Sequence, residues 1–277
     1  MKKFLGIFVA LFIFGINSSA RADVLVLIHG YLGSPDSWEA SGAMSVLDGN
    51  GWRRAGILQT NPRGEVLLLP AHAASQENKN KVYIVSLPSQ APLMFQVSHL
   101  EAMLGFLKQR HPDEPYILVG HSVGGVLGRL ALVRGTVPNP KALISIASPH
   151  LGTPRAGQAL DFTSDPWPVE VVKEMFGGPP YSTLKSSRGL YYDISGPWPG
   201  SLLDYLNNTD HPPIHYVSVL RSHAFMIWGD SVVPTPSQDM NNVPKLRGKS
   251  TVYTTGTGHS LVAADGLLIA EILKSIP

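Results

Sequence analysis

Short, unbroken runs of hydrophobic residues recur along the chain, separated by segments that are either polar or hydrophobic at helical spacing. The runs cover residues 24–28, 82–87, 116–119, 143–147, 214–220 and 251–254. Continuous runs of this length, rich in β-branched residues, are typical of strands buried on both faces of a parallel sheet. We therefore predict a strand at each of the six runs.

Segments with hydrophobic residues at helical spacing lie between several of these strands or follow them. Residues 93–110, 123–134 and 261–276 are predicted as helices, and Pro112 and Gly135 are suited to end the first two. Ser98-x-x-Glu101 is a capping-box pattern, so the first helix has an alternative start near Ser98. Alternating strands and helices predict an α/β fold, with a mostly parallel sheet, helices on both faces and right-handed crossovers.

Two segments do not fit this alternation. Residues 40–80 have weak periodicity, and we interpret them as a helix followed by an excursion from the fold. Residues 151–212 form a long connection that mixes aromatic side chains with Pro and Gly. Because long connections in compact domains are often lids, we predict a lid-like insertion at about 151–212. A packed subdomain that does not move is the alternative.

The N-terminus has the three parts of a secretory signal peptide. Lys2 and Lys3 precede an apolar run over 4–16, and Ala20 and Ala22 form the small-x-small cleavage pattern. We predict a signal peptide over 1–22, an exported protein in the periplasm or outside the cell, and one mature domain over 23–277. An uncleaved anchor is the alternative, although the run is shorter than the ~20 residues that span a bilayer.

Composition narrows the functional classes. Of 277 residues, 44% are hydrophobic and 15% charged, which allows a large core and disfavours wholesale disorder. Loss of the signal peptide removes three positive charges and changes the net charge from +2 to −1. The sequence has no stripe of basic residues, which is the pattern that would indicate a nucleic-acid partner. The absence of cysteine excludes a thiol nucleophile and a Cys-ligated metal, and no cofactor is predicted.

The strongest chemical signal is Gly120-His121-Ser122-Val123-Gly124, which matches G-x-S-x-G between a predicted strand and a predicted helix. The turn must be so tight that the serine adopts strained backbone angles, and a side chain two residues to either side would collide with its neighbours. The hydroxyl then points outward at the carboxyl edge of the sheet. We predict Ser122 as a nucleophile.

A serine hydroxyl needs a base, usually a histidine oriented by a carboxylate. In this architecture the chain order is Ser, then Asp or Glu, then His. His259 lies between the last strand and the last helix, and Asp230 lies shortly after the fifth strand. Taken singly, they would be an ordinary loop histidine and a turn cap; taken with Ser122, they are predicted as the base and the acid. Weaker acid candidates are Asp210, Asp239 and Asp265.

An acyl-transfer intermediate also needs backbone donors for its oxyanion. The amide of Val123 follows the nucleophile, and the loop after the first strand supplies the second donor, predicted as the amide of Tyr31. Gly30 and Gly33 allow that loop to turn inward. Structural roles, rather than base roles, are predicted for four other histidines: His29, His121, His150 and His223.

These stretches resemble the α/β-hydrolase superfamily and, within it, bacterial secreted lipases and GPI-deacylase-like serine esterases. The matching pieces, in the family's order, are residues 29–33, 120–125, 148–153, 229–234 and 258–259. The resemblance implies the α/β-hydrolase fold and Ser122, Asp230, His259, Tyr31 and Val123 in the roles given above. Some secreted lipases bind calcium through an Asp two residues after the base. That position is Leu261 here, so no calcium site is expected.

The leading functional hypothesis is hydrolysis of carboxylic esters through an acyl-enzyme. Aromatic and aliphatic residues in 151–212 indicate an apolar pocket for the acyl or the alcohol group, so an apolar ester or a lipid is the expected substrate. Transient contact with a membrane or lipid interface is a separate hypothesis. The same groups would serve a thioesterase, an amidase or an acyltransferase. A hydrolase-fold protein that binds apolar ligands without catalysis is the alternative of a different class. The oligomeric state stays open.

Overall fold

A computed structural model of the chain describes residues 22–70, 80–164, 181–222 and 229–277. In these residues one sheet contains eight strands in the order β3-β2-β4-β1-β5-β6-β7-β8. The strands are β1 Val24–Ile28, β2 Trp52–Thr60, β3 Val66–Pro70, β4 Asn80–Val85, β5 Tyr116–His121, β6 Pro140–Ile146, β7 His215–Arg221 and β8 Ser250–Thr255. Strands β2 and β3 pair antiparallel and every other neighbouring pair is parallel, which confirms the mostly parallel sheet.

Helices cover both faces of this sheet, as predicted. The helices are α1 Asp36–Ala40, α2 Ala43–Gly49, α3 Leu93–Arg110, α4 Val123–Val133, α5 Pro154–Phe162, α6 Arg188–Ile194, α7 Leu202–Asn208, α8 Thr235–Gln238 and α9 Ala263–Ser275. Buried side chains of α3 and α4 pack on one face, and those of α2 and α9 pack on the other. The hydrophobic core therefore has two layers, one on each side of the strands.

Strand β1 is central to this arrangement. Val24, Val26 and Ile28 contribute to the core layer of α3 and α4, whereas Leu25 and Leu27 contribute to the layer of α2 and α9. All five are fully buried, because side chains alternate between the two faces of a strand and both faces are covered. The order of strands reverses at β1, between β4 and β5, and open α/β sheets place their sites at the carboxyl edge of such a point.

The interpretation of residues 40–80 as a helix and an excursion was wrong in its second part. The helix is present as α2, but β2 and β3 follow it and form a hairpin at the edge of the sheet. In β2, Trp52 and Leu58 are buried while the adjacent Arg53 and Arg54 are half-buried, and Leu67 and Leu69 of the edge strand β3 are exposed. The two arginines interrupt the apolar pattern of β2, and the short apolar run of β3 is largely not buried. Residues 71–79 lie outside the described part.

The connection over 151–212 is helical in part. Leu190, Tyr191 and Ile194 of α6 and Leu203 and Leu206 of α7 are buried and belong to the core layer of α3 and α4. For this part, burial favours the packed subdomain over a mobile segment. A lid-like role stays a prediction, and 165–180, with Trp167, Val171, Val172, Met175 and Phe176, lies outside the described residues.

Helix α3 begins at Leu93 and not at Ser98. The amide of Leu93 donates to Asp193 Oδ2 at 2.7 Å, so a distant carboxylate caps the helix, while Ser98 donates to the carbonyl of Phe95. A cap supplied by another helix leaves no local pattern in the sequence. The predicted signal peptide lies almost entirely within residues 1–21, outside the described part. Among the helices that are described, none combines the length and the apolar character that crossing a membrane requires.

Candidate active site

Ser122 lies in a strained turn between β5 and α4. Its φ of 53° and ψ of −128° fall in a region that non-glycine residues rarely adopt. A Cβ on Gly120 would overlap the main chain of Gly124, and a Cβ on Gly124 would overlap the carbonyl oxygen of Ile28. The two glycines are therefore required by the close approach of the helix to β5 and β1, as the sequence indicated.

Ser122, His259 and Asp230 come together although more than 100 residues separate the first two. His259 Nε2 lies 3.0 Å from Ser122 Oγ, and His259 Nδ1 lies 2.8 Å from Asp230 Oδ2. An ionised carboxylate only accepts hydrogen bonds, so Nδ1 carries the proton and Nε2 accepts from the serine hydroxyl. This is the hydrogen-bonded order that activates a serine nucleophile.

The three weaker acid candidates lie elsewhere in hydrogen-bonding roles. Asp210 pairs with Lys245 on the surface, and Asp239 accepts from the amide of Asn241. Asp265 pairs with Arg221. Only Asp230, among the four, contacts His259 within the part of the chain that the structure describes.

Asp230 is buried and is held in place by backbone donors. Its Oδ1 accepts from the amides of Val232 at 2.9 Å and Val233 at 2.7 Å, so the carboxylate closes its own turn. Burial alone would raise its pKa. The hydrogen bond and charge of His259, with the two amides, outweigh burial and place the pKa of Asp230 below its ordinary value. Asp230 is therefore ionised at neutral pH.

The two predicted oxyanion donors lie beside the nucleophile. A Cβ on Gly30 would be 2.6 Å from Ser122 Cβ, so the loop of Tyr31 lies directly against the serine. Among the described residues, no group accepts a hydrogen bond from the amides of Tyr31 and Val123. Both amides are thus available to a ligand oxygen.

His29 supports this loop. Its Nε2 accepts from the amide of Leu87 at 3.0 Å, so Nδ1 carries the proton and donates to the carbonyl of Gly30 at 3.1 Å. Burial lowers the pKa of His29 and keeps the ring neutral. The predicted role of His29, a bond to loop backbone, has this geometry. On the other side, the hydroxyl of Tyr31 hydrogen-bonds that of Tyr191 in α6.

His121 and His150 also contact protein groups. His121 Nε2 donates to the carbonyl of His259 at 2.8 Å, and burial with the neighbouring His259 lowers the pKa of His121 to about 4. His150 contacts the hydroxyl of Ser145 at 2.7 Å and the guanidinium of Arg129 at 3.3 Å. Both rings are neutral near pH 7. His223 lies outside the described residues.

Sequence reasoning missed the roles of three polar residues around the acid and the base. Gln238 donates to the carbonyl of Val233 at 2.8 Å and lies 3.4 Å from Asp230 Oδ2, and it accepts from the amide of Arg221 at 2.7 Å. Arg221 in turn contacts Asp265 at 2.7 Å. One signal was present, since Arg221 is a charged residue that ends an apolar strand. Gln238 stands in no recognisable pattern, and Asp265 was considered only as a weaker candidate for the acid.

A cavity of about 400 Å³ opens beside the candidate site. Its walls are Gly30, Tyr31, Leu32, Gly33, Ser37, Ala40, Ser41, His121, Ser260 and Leu261. The first four belong to the loop of the oxyanion donors, and Ser260 and Leu261 directly follow His259. The cavity therefore lies between the oxyanion loop and the base. Nothing in the described ranges groups three His, Asp or Glu side chains in a way that could hold a metal ion.

Comparison with known proteins places these observations in a family. The sequence model of the alpha/beta hydrolase family matches residues 25–271, which is most of the chain. No curated protein matches the sequence.

Several solved structures share the fold. The mature form of a lipase from Bacillus licheniformis is 15% identical with a TM-score of 0.61, over 93% of each chain. A gene product of Listeria innocua is 18% identical with a TM-score of 0.55, over 92% of this chain and 91% of that one. An esterase of Pyrococcus furiosus is 15% identical with a TM-score of 0.55, over 93% of this chain and 83% of that one. At these identities the likeness concerns the fold alone.

Proposed function

The chain belongs to the α/β hydrolase family, and from this premise we propose that it hydrolyses carboxylic esters with Ser122 as nucleophile, His259 as base and Asp230 as acid. The observation that carries the proposal is the continuous hydrogen-bonded path from Ser122 Oγ through His259 to Asp230. The strained φ of Ser122 adds support, because strain at a polar residue is typical of catalytic turns.

The reaction proceeds in two halves. Ser122 Oγ attacks the ester carbonyl while His259 Nε2 takes its proton, and the tetrahedral intermediate collapses as His259 returns that proton to the leaving alcohol. Water then attacks the acyl-enzyme with His259 again as base, and the acid product leaves Ser122. Asp230 stays ionised throughout and stabilises the imidazolium, in keeping with its lowered pKa.

The negative charge on the carbonyl oxygen is stabilised by the amides of Tyr31 and Val123. Val123 is the first residue of α4, so the helix N-terminus adds its partial positive charge. Removing one such donor costs other hydrolases about 10²- to 10³-fold in kcat. His29 and the contact with Tyr191 keep the Tyr31 loop in place.

The cavity fits the leaving alcohol better than the acyl group. Because His259 Nε2 must protonate the leaving oxygen, the alcohol departs on the side of the base, where Ser260 and Leu261 line the cavity. At ~30 Å³ for a water-sized group, a cavity of about 400 Å³ accepts roughly 13 non-hydrogen atoms. Leu32 makes one wall of this cavity apolar, and Val232, an exposed hydrophobic residue of the acid loop (residues 229–234), supports an apolar acyl group.

Export and contact with a lipid interface belong to the same proposal. The basic start, the apolar run and Ala20-Arg21-Ala22 support a cleaved signal peptide over 1–22 and a periplasmic or secreted enzyme. We propose the mature enzyme to be a single domain over 23–277 that meets apolar esters or lipids. A thioesterase or an acyltransferase would use the same three residues, so the acceptor of the acyl group must be measured.

Hydrolysis of p-nitrophenyl esters from acetate to palmitate tests the proposal. We expect turnover by the mature protein and loss of at least 10³-fold in Ser122→Ala. Equal rates of the two proteins, or no turnover of any ester or thioester, would contradict it and favour a binding protein. Asp161→Asn is a matched control, since Asp161 lies on the exposed surface of α5.

A further inference from the structure

A buried ion pair lies behind the base loop, residues 256–262. Arg221 is the last residue of β7, and Asp265 is in the first turn of α9. Their side chains are 0% and 2% exposed, and Arg221 Nη2 lies 2.7 Å from Asp265 Oδ2. Burying two charges costs several kcal/mol of desolvation, so stability alone is a weak reason for such a pair.

The pair contacts the base loop near both of its ends. Arg221 Nη1 donates to the hydroxyl of Thr257, two residues before His259, and to that of Thr255 at 2.7 Å. Asp265 Oδ2 accepts from the amide of Val262, three residues after His259, at 2.8 Å. One charged unit therefore holds the loop on either side of the imidazole.

The same pair reaches the acid through the backbone. The amide of Arg221 donates to Gln238 Oε1, and Gln238 Nε2 contacts Val233 and Asp230. Arg221 thus holds the loop that carries His259 through its side chain, and it holds Gln238, which packs against Asp230, through its backbone amide. These contacts join β7, the acid loop, the base loop and α9.

We propose that Arg221 and Asp265 act together as a positioning pair, which keeps His259 aligned between Ser122 and Asp230. The proposal rests on the catalytic role of His259 given above. Reacting groups must keep their geometry closely, because a displacement near 1 Å costs about 10²-fold in rate. The pair touches neither the substrate cavity nor Ser122, so it acts only through the base and the acid.

Two isosteric variants separate this role from stability. Thr257→Val removes the hydroxyl through which Arg221 holds the base loop, and Thr255→Val removes the other hydroxyl that accepts from the same Nη1, on strand β8. Each variant loses one hydrogen bond from Nη1 of Arg221 and the 3.4 Å contact between the two hydroxyls, and each keeps the ion pair. Thr255→Val also loses the hydrogen bond that the hydroxyl of Thr255 donates to the carbonyl of Leu220 at 3.3 Å, so it removes at least as much as Thr257→Val. Asp265→Asn is a third variant that removes the charge and keeps an oxygen for the amide of Val262.

We expect kcat on p-nitrophenyl butyrate to fall about tenfold in Thr257→Val and 30-fold or more in Asp265→Asn, with KM within twofold. Thr255→Val should stay within twofold of the parent. NMR of ¹⁵N-histidine protein at one fixed pH, assigned with His259→Ala, should show the Nδ1 proton of His259 less downfield in Thr257→Val than in Thr255→Val. The hydrogen bond from Nδ1 to Asp230, 2.8 Å long in the parent, would be weakened in the first variant only.

Equal kcat and an equal chemical shift of the His259 Nδ1 proton in the two threonine variants would overturn the positioning role. The chemical shift does not depend on turnover. If the parent hydrolyses no ester, the proposed function fails, yet this proton signal still decides whether Arg221 and Asp265 align His259 with Asp230.

Discussion

Ser122 and its two partners are held in place by different kinds of interactions. A side chain at Gly30, Gly120 or Gly124 would overlap main-chain or Cβ atoms of neighbouring segments, and this lack of space confines the backbone around Ser122. His259 and Asp230 lie on two loops, which are held by local hydrogen bonds to backbone amides and by contacts of Arg221 from a distant strand. Steric exclusion confines the nucleophile; hydrogen bonds and charge confine the base and the acid.

The difference indicates which substitutions should disrupt the nucleophile turn and which should disrupt the loops of the base and the acid. A steric constraint fails when volume is added, and its failure disturbs the sheet and the helix together. A polar constraint fails when one partner is changed, and its failure can leave the fold intact while the protonation or direction of one ring changes. Substitutions on the two sides should therefore differ in the balance between lost activity and lost stability.

The largest expected effect is on the polar side. Asp230→Asn should lower kcat about 10³- to 10⁴-fold, because an amide favours the tautomer with the proton on Nε2, which cannot accept from Ser122. The amides of Val232 and Val233 can still bond the asparagine oxygen, so the fold should persist. Ester kinetics with circular dichroism check this. A loss below tenfold would remove Asp230 from the mechanism.

On the steric side, Gly124→Ala should cost about 3 kcal/mol of unfolding free energy or more, since its Cβ would overlap the carbonyl oxygen of Ile28. Activity should fall with stability. Gly105→Ala is the matched control, because Gly105 lies in α3 with open space around it, and alanine there should stabilise by up to about 1 kcal/mol. Urea unfolding of both variants measures the contrast; equal effects would refute the steric account.

Substrate preference should change when the cavity is filled. Ala40 is an exposed wall residue of α1, and Ala40→Trp should lower kcat/KM about tenfold for naphthyl esters but less than twofold for the methyl ester of the same acid. The paired substrates are the control. If kcat/KM of Ala40→Trp fell with the size of the acyl chain instead of the size of the alcohol, the cavity would hold the acyl group.

A smaller effect concerns pH and stability. The pKa of His121 in the folded protein, about 4, is below its ordinary value of about 6.5. Between these two pH values the unfolded chain therefore binds a proton at His121 that the folded chain does not bind. The stability that the neutral ring contributes is complete above pH 6.5 and is lost as pH falls towards 4, at up to about 1.4 kcal/mol per pH unit. Urea unfolding at several pH values should show a shallower dependence in His121→Gln. An unchanged slope would contradict the assignment.

The same contrast explains what could be predicted from the sequence. Steric constraints produce short local sequence patterns. G-x-S-x-G therefore indicated Ser122, and the apolar runs indicated the central sheet and its covered faces. His259 and Asp230 were predicted from their order along the chain. The contacts of Arg221 with Gln238 and Asp265 were missed, because a contact between distant elements has no local pattern. The hairpin of β2 and β3 was missed because β2, although it lies between β3 and β4, carries Arg53, Arg54 and other polar residues where the central strands are apolar.

The central claim, that His259 activates Ser122 as a nucleophile, is tested most directly by a serine-directed fluorophosphonate followed by mass spectrometry. We predict one phosphonyl group per chain, on Ser122, with a rate that falls at least 10²-fold in His259→Ala and is unchanged in Asp161→Asn. Labelling elsewhere, or labelling of Ser122 at the same rate without His259, would contradict the account.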